Sequence, residues 1–206
     1  MKRRMSYLAA MVGLVGFGMA AWTMTARAGY ESAEYKVIES DGNIEIREYP
    51  DLMLAATNSR MDSQGRDGSF MRLFGYISGA NEGDQKIAMT TPVFMEGEVG
   101  QADVSMGFVM PKEVAAEGVP EPNGAGVKIR KREGGRFAVI RFSGRLDSRV
   151  AKEKETELRE WMKSRGLEGQ SKAEAAGYDP PFTPGPLRRN EVLIRLNETS
   201  NTEAES

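Results

Sequence analysis

The sequence predicts an α+β fold in which eight mostly antiparallel strands form a curved sheet or open barrel with two helices packed on it. Three observations lead there. Short alternating segments recur along the chain, each closed by a turn signal. Phe70, Leu73, Phe74 and Ile77 are spaced as one face of a helix. The two halves also repeat an order of elements, a βββαβ unit, and even a local text, Ile44-Glu45-Ile46-Arg47 against Val127-Lys128-Ile129-Arg130. A duplication of that unit would place a pseudo-twofold axis through the middle, with a binding cleft between helix and sheet beside it.

The first half opens with Tyr35–Glu39 and Ile44–Tyr49, two alternating strands around a Ser40-Asp41-Gly42-Asn43 turn. Leu52–Thr57 is the third strand. A polar loop from Asn58 to Gly68 leads into a helix from Phe70, which Gly79 ends. Lys86-Ile87-Ala88-Met89-Thr90-Thr91-Pro92-Val93-Phe94 reads as one strand, with Pro92 at an edge, a bulge or a strand end.

The second half begins at Val104–Met110, followed by a Pro- and Gly-rich loop from Pro111 to Gly126. Val127–Lys131 and Phe137–Phe142 are strands around a Glu133-Gly134-Gly135 turn. Asp147 or Ser148 caps a long charged helix to about Arg165, whose narrow apolar stripe is Val150, Leu158, Trp161 and Met162. Glu191–Leu196 is the last strand. Residues 197–206 read as a polar, disordered tail.

The composition excludes several chemistries. The 206 residues contain no Cys and no His. That removes disulfides, thiolate metal sites, a cysteine nucleophile, the ordinary Ser-His-Asp triad and the usual proximal haem ligand. Residues 1–28 read as a signal peptide or membrane anchor. Lys2, Arg3 and Arg4 precede an uncharged apolar run from Tyr7 to Met24, and Ala26-Arg27-Ala28 sets cleavage before Gly29. The domain of residues 29–196 is then periplasmic, or held at the outer face of the inner membrane by that segment. Without residues 1–28 the chain carries 24 basic against 30 acidic side chains, hence −6. Such a charge gives no electrostatic footprint for nucleic acid.

Two blocks are specific in length and order: Tyr76-Ile77-Ser78-Gly79-Ala80-Asn81 with Lys86–Val93, and Tyr178-Asp179-Pro180-Pro181 with Arg188-Arg189-Asn190-Glu191-Val192. They resemble the SOUL haem-binding family, and the resemblance covers about Tyr30 to Leu196. It implies a duplicated, distorted eight-stranded barrel with two helices. It further implies that haem or a related tetrapyrrole is the ligand, in a pocket between the first helix and the loop carrying Tyr178 to Arg189. Gly75 and Thr183 stand where some members carry a basic residue.

On that resemblance the binding residues are Arg66, Phe70, Met71, Phe74, Tyr76, Tyr178, Phe182, Arg188 and Arg189, with Arg72 a further basic side chain nearby. Each has a plainer alternative. The helix stripe packs a core more often than it lines a groove. Tyr76 and Tyr178 are either phenolate ligands to ferric iron or half-buried rings with a surface hydroxyl. Met89 is either a thioether ligand or, among 13 methionines, a gap filler. Arg188 and Arg189 either grip propionates or tie the Pro-rich loop to the sheet. Thr90, Thr91 and Pro92 read as structural.

Two function classes follow. One is a monomeric, non-enzymatic carrier, buffer or scavenger of haem or a similar porphyrin, binding through apolar burial without His ligation. The other is an envelope module for another hydrophobic or cationic small molecule, or for a protein partner. A buried acid at the cleft base would suit a cation, whereas arginines at its mouth would suit propionates. The membrane enters only through residues 1–28, if these are uncleaved.

Overall fold

The computed structural model describes residues 29–59, 67–97, 104–180 and 182–197. The expected signal segment 1–28, residue Arg66, Pro181 and the tail beyond Asn197 lie outside them.

The strands are β1 (Glu31–Ser32), β2 (Lys36–Asp41), β3 (Ile44–Tyr49), β4 (Leu52–Ser59), β5 (Thr90–Thr91), β6 (Val93–Glu96), β7 (Val104–Val109), β8 (Lys128–Arg132), β9 (Gly135–Phe142), β10 (Gly169–Gly177) and β11 (Asn190–Leu196). The helices are α1 (Ser69–Ile77), α2 (Lys112–Glu117) and α3 (Ser148–Ser164). Nine strands form one antiparallel sheet in the order β2-β3-β9-β11-β10-β6-β7-β4-β8, and β1 pairs in parallel with β5. The sheet is open, with β2 and β8 as its edges, so the expected eight-stranded barrel is not formed.

Three expectations are corrected locally. Lys86–Met89 is irregular and the strand begins only at Thr90, with a cis Thr91–Pro92 bond between β5 and β6. The Pro- and Gly-rich loop contains α2. A strand absent from the sequence reading, β10, follows Gly166 and lies between β11 and β6. With β10 in place, the βββαβ repeat is not the unit of pairing. The sheet centre instead joins two strand–helix–strand–strand runs, β4-α1-β6-β7 and β9-α3-β10-β11, side by side through β6 and β10. The short β5 falls within the first of these runs.

Period-two alternation gives the sheet two buried faces. On one, Ala55, Met95, Phe108, Ala138, Ile140, Ala175, Val192 and Ile194 pack beneath Leu73, Tyr76 and Ile77 of α1 and Ala151, Leu158 and Met162 of α3. Helix α1 lies over β4 and β7, and α3 over β9 and β11. Asp147 caps α3 by accepting from the Val150 backbone N–H at 2.9 Å, satisfying one of the donors a helix start leaves open. On the other face Leu54, Phe94, Val109, Phe137, Val139, Ala176 and Leu193 pack with Tyr49 and Tyr178, away from the helices.

Candidate ligand-binding site

Helix α1 is placed by its buried side. Asp67 starts it, its carboxylate accepting from the Ser69 backbone N–H at 3.0 Å and the Ser69 hydroxyl at 2.6 Å. Leu73, Tyr76 and Ile77 then point into the core. This rotates the expected stripe. Phe70 is only partly buried, Phe74 is 44% exposed and Met71 is 62% exposed. Four residues apart, the Phe70 and Phe74 rings meet on one side of the helix. They stack with centroids 6.2 Å apart and planes 12° apart, and Phe70 stands edge-on to Phe108 at 5.3 Å. The outer flank of α1 is therefore an apolar, aromatic surface.

The Pro-rich loop that carries Tyr178 to Arg189 follows β10. Gly177, the last residue of β10, pairs with Val93, and Val93 pairs with Phe108. The loop thus leaves the sheet two strand spacings, about 10 Å, from the backbone of Phe108, against which Phe70 rests. Phe182 in that loop is 70% exposed.

The hydroxyls expected as iron ligands are engaged elsewhere. Tyr76 is buried and donates to the Pro120 carbonyl at 2.7 Å. Burial, with Glu121 nearby, pushes its pKa up to about 12. Tyr178 is buried on the helix-free face and donates to Glu191 Oε2 at 2.9 Å. Burial and the adjacent carboxylate raise it well above its ordinary value. Both rings are thus more buried than the half-buried reading allowed. Met89 is half-buried and packs against the helix-bearing core.

The arginines hold the loop. Arg188 donates to the Thr183 carbonyl at 2.7 Å. The Arg189 backbone N–H donates to Asp179 at 2.6 Å. Its guanidinium lies 4.0 Å over the Tyr178 ring, bonds Glu191 Oε1 at 2.6 Å and reaches the Tyr35 hydroxyl at 3.2 Å. Arg72 is likewise engaged, with Thr57 Oγ1 at 3.0 Å and the Asn58 carbonyl at 2.6 Å.

Sequence reasoning missed the centre of this network. Arg47 on β3 and Glu191 on β11 are both fully buried, and they form a bidentate pair at 2.7 and 3.0 Å. Arg47 also contacts Tyr49 at 3.0 Å and lies over the Tyr35 ring. Burial opposes ionisation of Glu191, but the Arg47 and Arg189 guanidiniums outweigh it and lower its pKa. Alternation puts Glu45, Arg47 and Tyr49 on one face of β3. That face is polar in sequence and reads as solvated until Glu191 arrives opposite. Of the expected site residues, Met71, Phe74 and Phe182 are exposed and Phe70 is half-buried, while the side chains of Tyr76, Tyr178, Arg188 and Arg189 bond within the protein.

Comparison with known proteins agrees with this architecture. A crystal structure titled as a hydrolase from Listeria innocua superposes with a TM-score of 0.54 at 14% identity, covering 78% of this chain and 94% of that one. The crystallised C-terminal domain of EcmrR gives 0.51 at 12% identity, over 80% and 99%. EcmrR in a cryo-EM complex with DNA gives 0.57 at 10% identity, over 96% and 69%. At such identities the likeness is one of fold alone. No curated protein matches the chain. The family model described as SOUL heme-binding protein matches residues 30–195, and the chain belongs to that family.

Proposed function

We propose that this protein is an exported, non-enzymatic binder of haem or a related tetrapyrrole. The macrocycle lies on the outer flank of α1 against Phe70, Met71 and Phe74, with Phe182 of the Pro-rich loop closing over it. The observation that carries this reading is the stacked Phe70–Phe74 pair. Large apolar side chains grouped at the surface of an otherwise amphipathic helix mark an interaction site more often than chance exposure. A porphyrin hiding a few hundred Å² of apolar surface at about 25 cal/mol per Å² gains several kcal/mol before ordering costs. Without an axial ligand the affinity is therefore expected to be micromolar at best.

Iron ligation is not required by this reading, since the candidate phenols are buried and bonded. The alternative of a cationic ligand needs an unpaired buried acid. Glu191 is instead matched by two arginines and Glu174 by Arg132, which favours the porphyrin. Residues 1–28 would carry the chain across the inner membrane. Among the described residues no helix is long and apolar enough to span one.

The test is Phe74→Glu. Phe74 is exposed, so the fold should survive, and a carboxylate in the contact surface should weaken protoporphyrin IX binding at least tenfold in a fluorescence titration. Unchanged affinity would remove α1 from the site.

A further inference from the structure

Helix α1 contains a glycine, Gly75, two residues before its last. Apart from proline, glycine is the least favourable residue inside a helix, so its presence there asks for a reason. Packing does not supply one, because a Cβ added at Gly75 would meet no atom within 4 Å. Gly107 on β7 shows the contrast, since a Cβ there would lie 3.1 Å from Leu54 Cδ1. Helix termination does not supply one either. Gly79, with a φ of 123°, ends the helix in the conformation that favours glycine. Gly75 has no positive φ, and its carbonyl accepts from the Ser78 and Ala80 backbone N–H groups at 3.1 and 3.0 Å, as any residue's would.

At 3.6 residues per turn, Met71, Phe74, Gly75 and Ser78 occupy one arc of about 100°, and the other three members of that arc are exposed. Gly75 sits at its margin, between Met71 and the side formed by Arg72 and Tyr76. The segment from Pro120 to Gly126 runs along that neighbouring side. It is held there by the Tyr76 hydroxyl, which donates to the Pro120 carbonyl at 2.7 Å, and by the Asn123 backbone N–H, which donates to the Ala80 carbonyl at 3.2 Å. Arg72 Cδ lies 3.2 Å from the place a Cβ on Gly126 would take. Gly75 thus leaves bare helix backbone between Met71 and this segment, one residue along the helix from Phe74.

Given porphyrin binding at this flank, on which the inference rests, we propose that Gly75 sets the class of tetrapyrrole accepted, selecting closed, planar macrocycles over open-chain ones. A planar ring touching Met71 and Phe74 continues across Gly75 into direct contact with the helix backbone, burying further apolar area. A side chain at position 75 would hold the ring off, and a gap of that size forfeits the contacts on both sides of it. An open-chain tetrapyrrole, twisted out of plane, meets the backbone over only part of its surface and gains less from the bare position.

Gly75→Ala tests this, with protoporphyrin IX and biliverdin as probes, two tetrapyrroles that share two propionates and differ in closure of the ring. Alanine favours the helix and enters free space, so the denaturation midpoint should rise by about 2–4 °C. Protoporphyrin IX binding, followed by fluorescence, should nonetheless weaken at least fivefold. The wild type should bind biliverdin at least tenfold more weakly than protoporphyrin IX, and Gly75→Ala should narrow that difference. Equal protoporphyrin IX affinity in the two proteins would overturn the inference and leave the proposed function standing, as would biliverdin binding as tight as that of the macrocycle in the wild type. A lowered midpoint in Gly75→Ala would overturn it too, because the glycine would then serve the fold. No saturable binding of protoporphyrin IX to the wild type would remove the proposed function and this inference together.

Discussion

Glu191 and Glu174 are both acids facing the helix-free side of the sheet, yet their surroundings act on them in opposite directions. At Glu174 burial dominates and raises the pKa, with Arg132 opposing it. At Glu191 burial is outweighed by two guanidiniums, and the pKa is lowered from its ordinary 4.5. A carboxyl whose folded pKa is depressed stabilises the fold above its unfolded value, and that stability is lost as pH falls through the folded value. Glu191→Gln removes the bidentate partner of the buried Arg47, leaving it the Glu45 contact through Nε, and should cost about 3 kcal/mol at pH 7. Chemical denaturation across pH checks this: the deficit should be constant above pH 4.5 and shrink below it. A deficit independent of pH would mean that the charge pair is not its source.

At the scale of elements, the β8–β9 turn is held by side chains, the Gly134 N–H donating to Asp51 Oδ1 at 2.7 Å and Arg195 to the Gly134 and Glu133 carbonyls, and also by close backbone approach. A Cβ on Gly134 would lie 2.5 Å from the Tyr49 carbonyl oxygen and 2.8 Å from the Asp51 nitrogen. Backbone at that distance cannot yield as a flexible side chain does. Gly134→Ala should therefore destabilise by about 1–3 kcal/mol, read as a lower denaturation midpoint. An unchanged midpoint would show that the β3–β4 link moves freely away from this turn.

What the sequence made legible follows the same scale. Strands with β-branched residues and clear alternation, such as β3, β9 and β11, could be read directly, as could α3 with its Asp147 cap. Strand β10 could not. Gly169-Gln170-Ser171-Lys172-Ala173-Glu174-Ala175-Ala176-Gly177 is poor in strand-forming residues. Its alanines are small because both faces of this central strand are covered, Ala173 and Ala175 beneath the helices and Ala176 opposite. Of the α1 stripe, Leu73 and Ile77 are buried as their spacing implies. Tyr76 displaces Phe74 from the core because its hydroxyl finds the Pro120 carbonyl, a partner 44 residues away that periodicity cannot reveal. The Arg47–Glu191 pair spans 144 residues and was invisible for the same reason.

Across the whole molecule, the sheet separates two kinds of surface. The helix-bearing side presents an aromatic flank on α1. The opposite side concentrates buried charge, balanced at Glu191 by Arg47 and Arg189 and at Glu174 by Arg132. An open sheet with both faces buried accommodates this, because its two edges and its loop-bearing ends leave room for recesses that a closed eight-stranded barrel would fill with side chains. In the proposed function a porphyrin binds the α1 flank by apolar burial, without a side chain on iron.

The most direct measurement is a parallel titration of the purified domain with haemin, followed in the Soret band, and with iron-free protoporphyrin IX, followed by fluorescence. Similar micromolar affinities for the two are predicted, both weakened by Phe74→Glu. Binding of haemin alone would contradict the account by requiring an iron ligand, and saturable binding of neither would contradict it at the level of the ligand class.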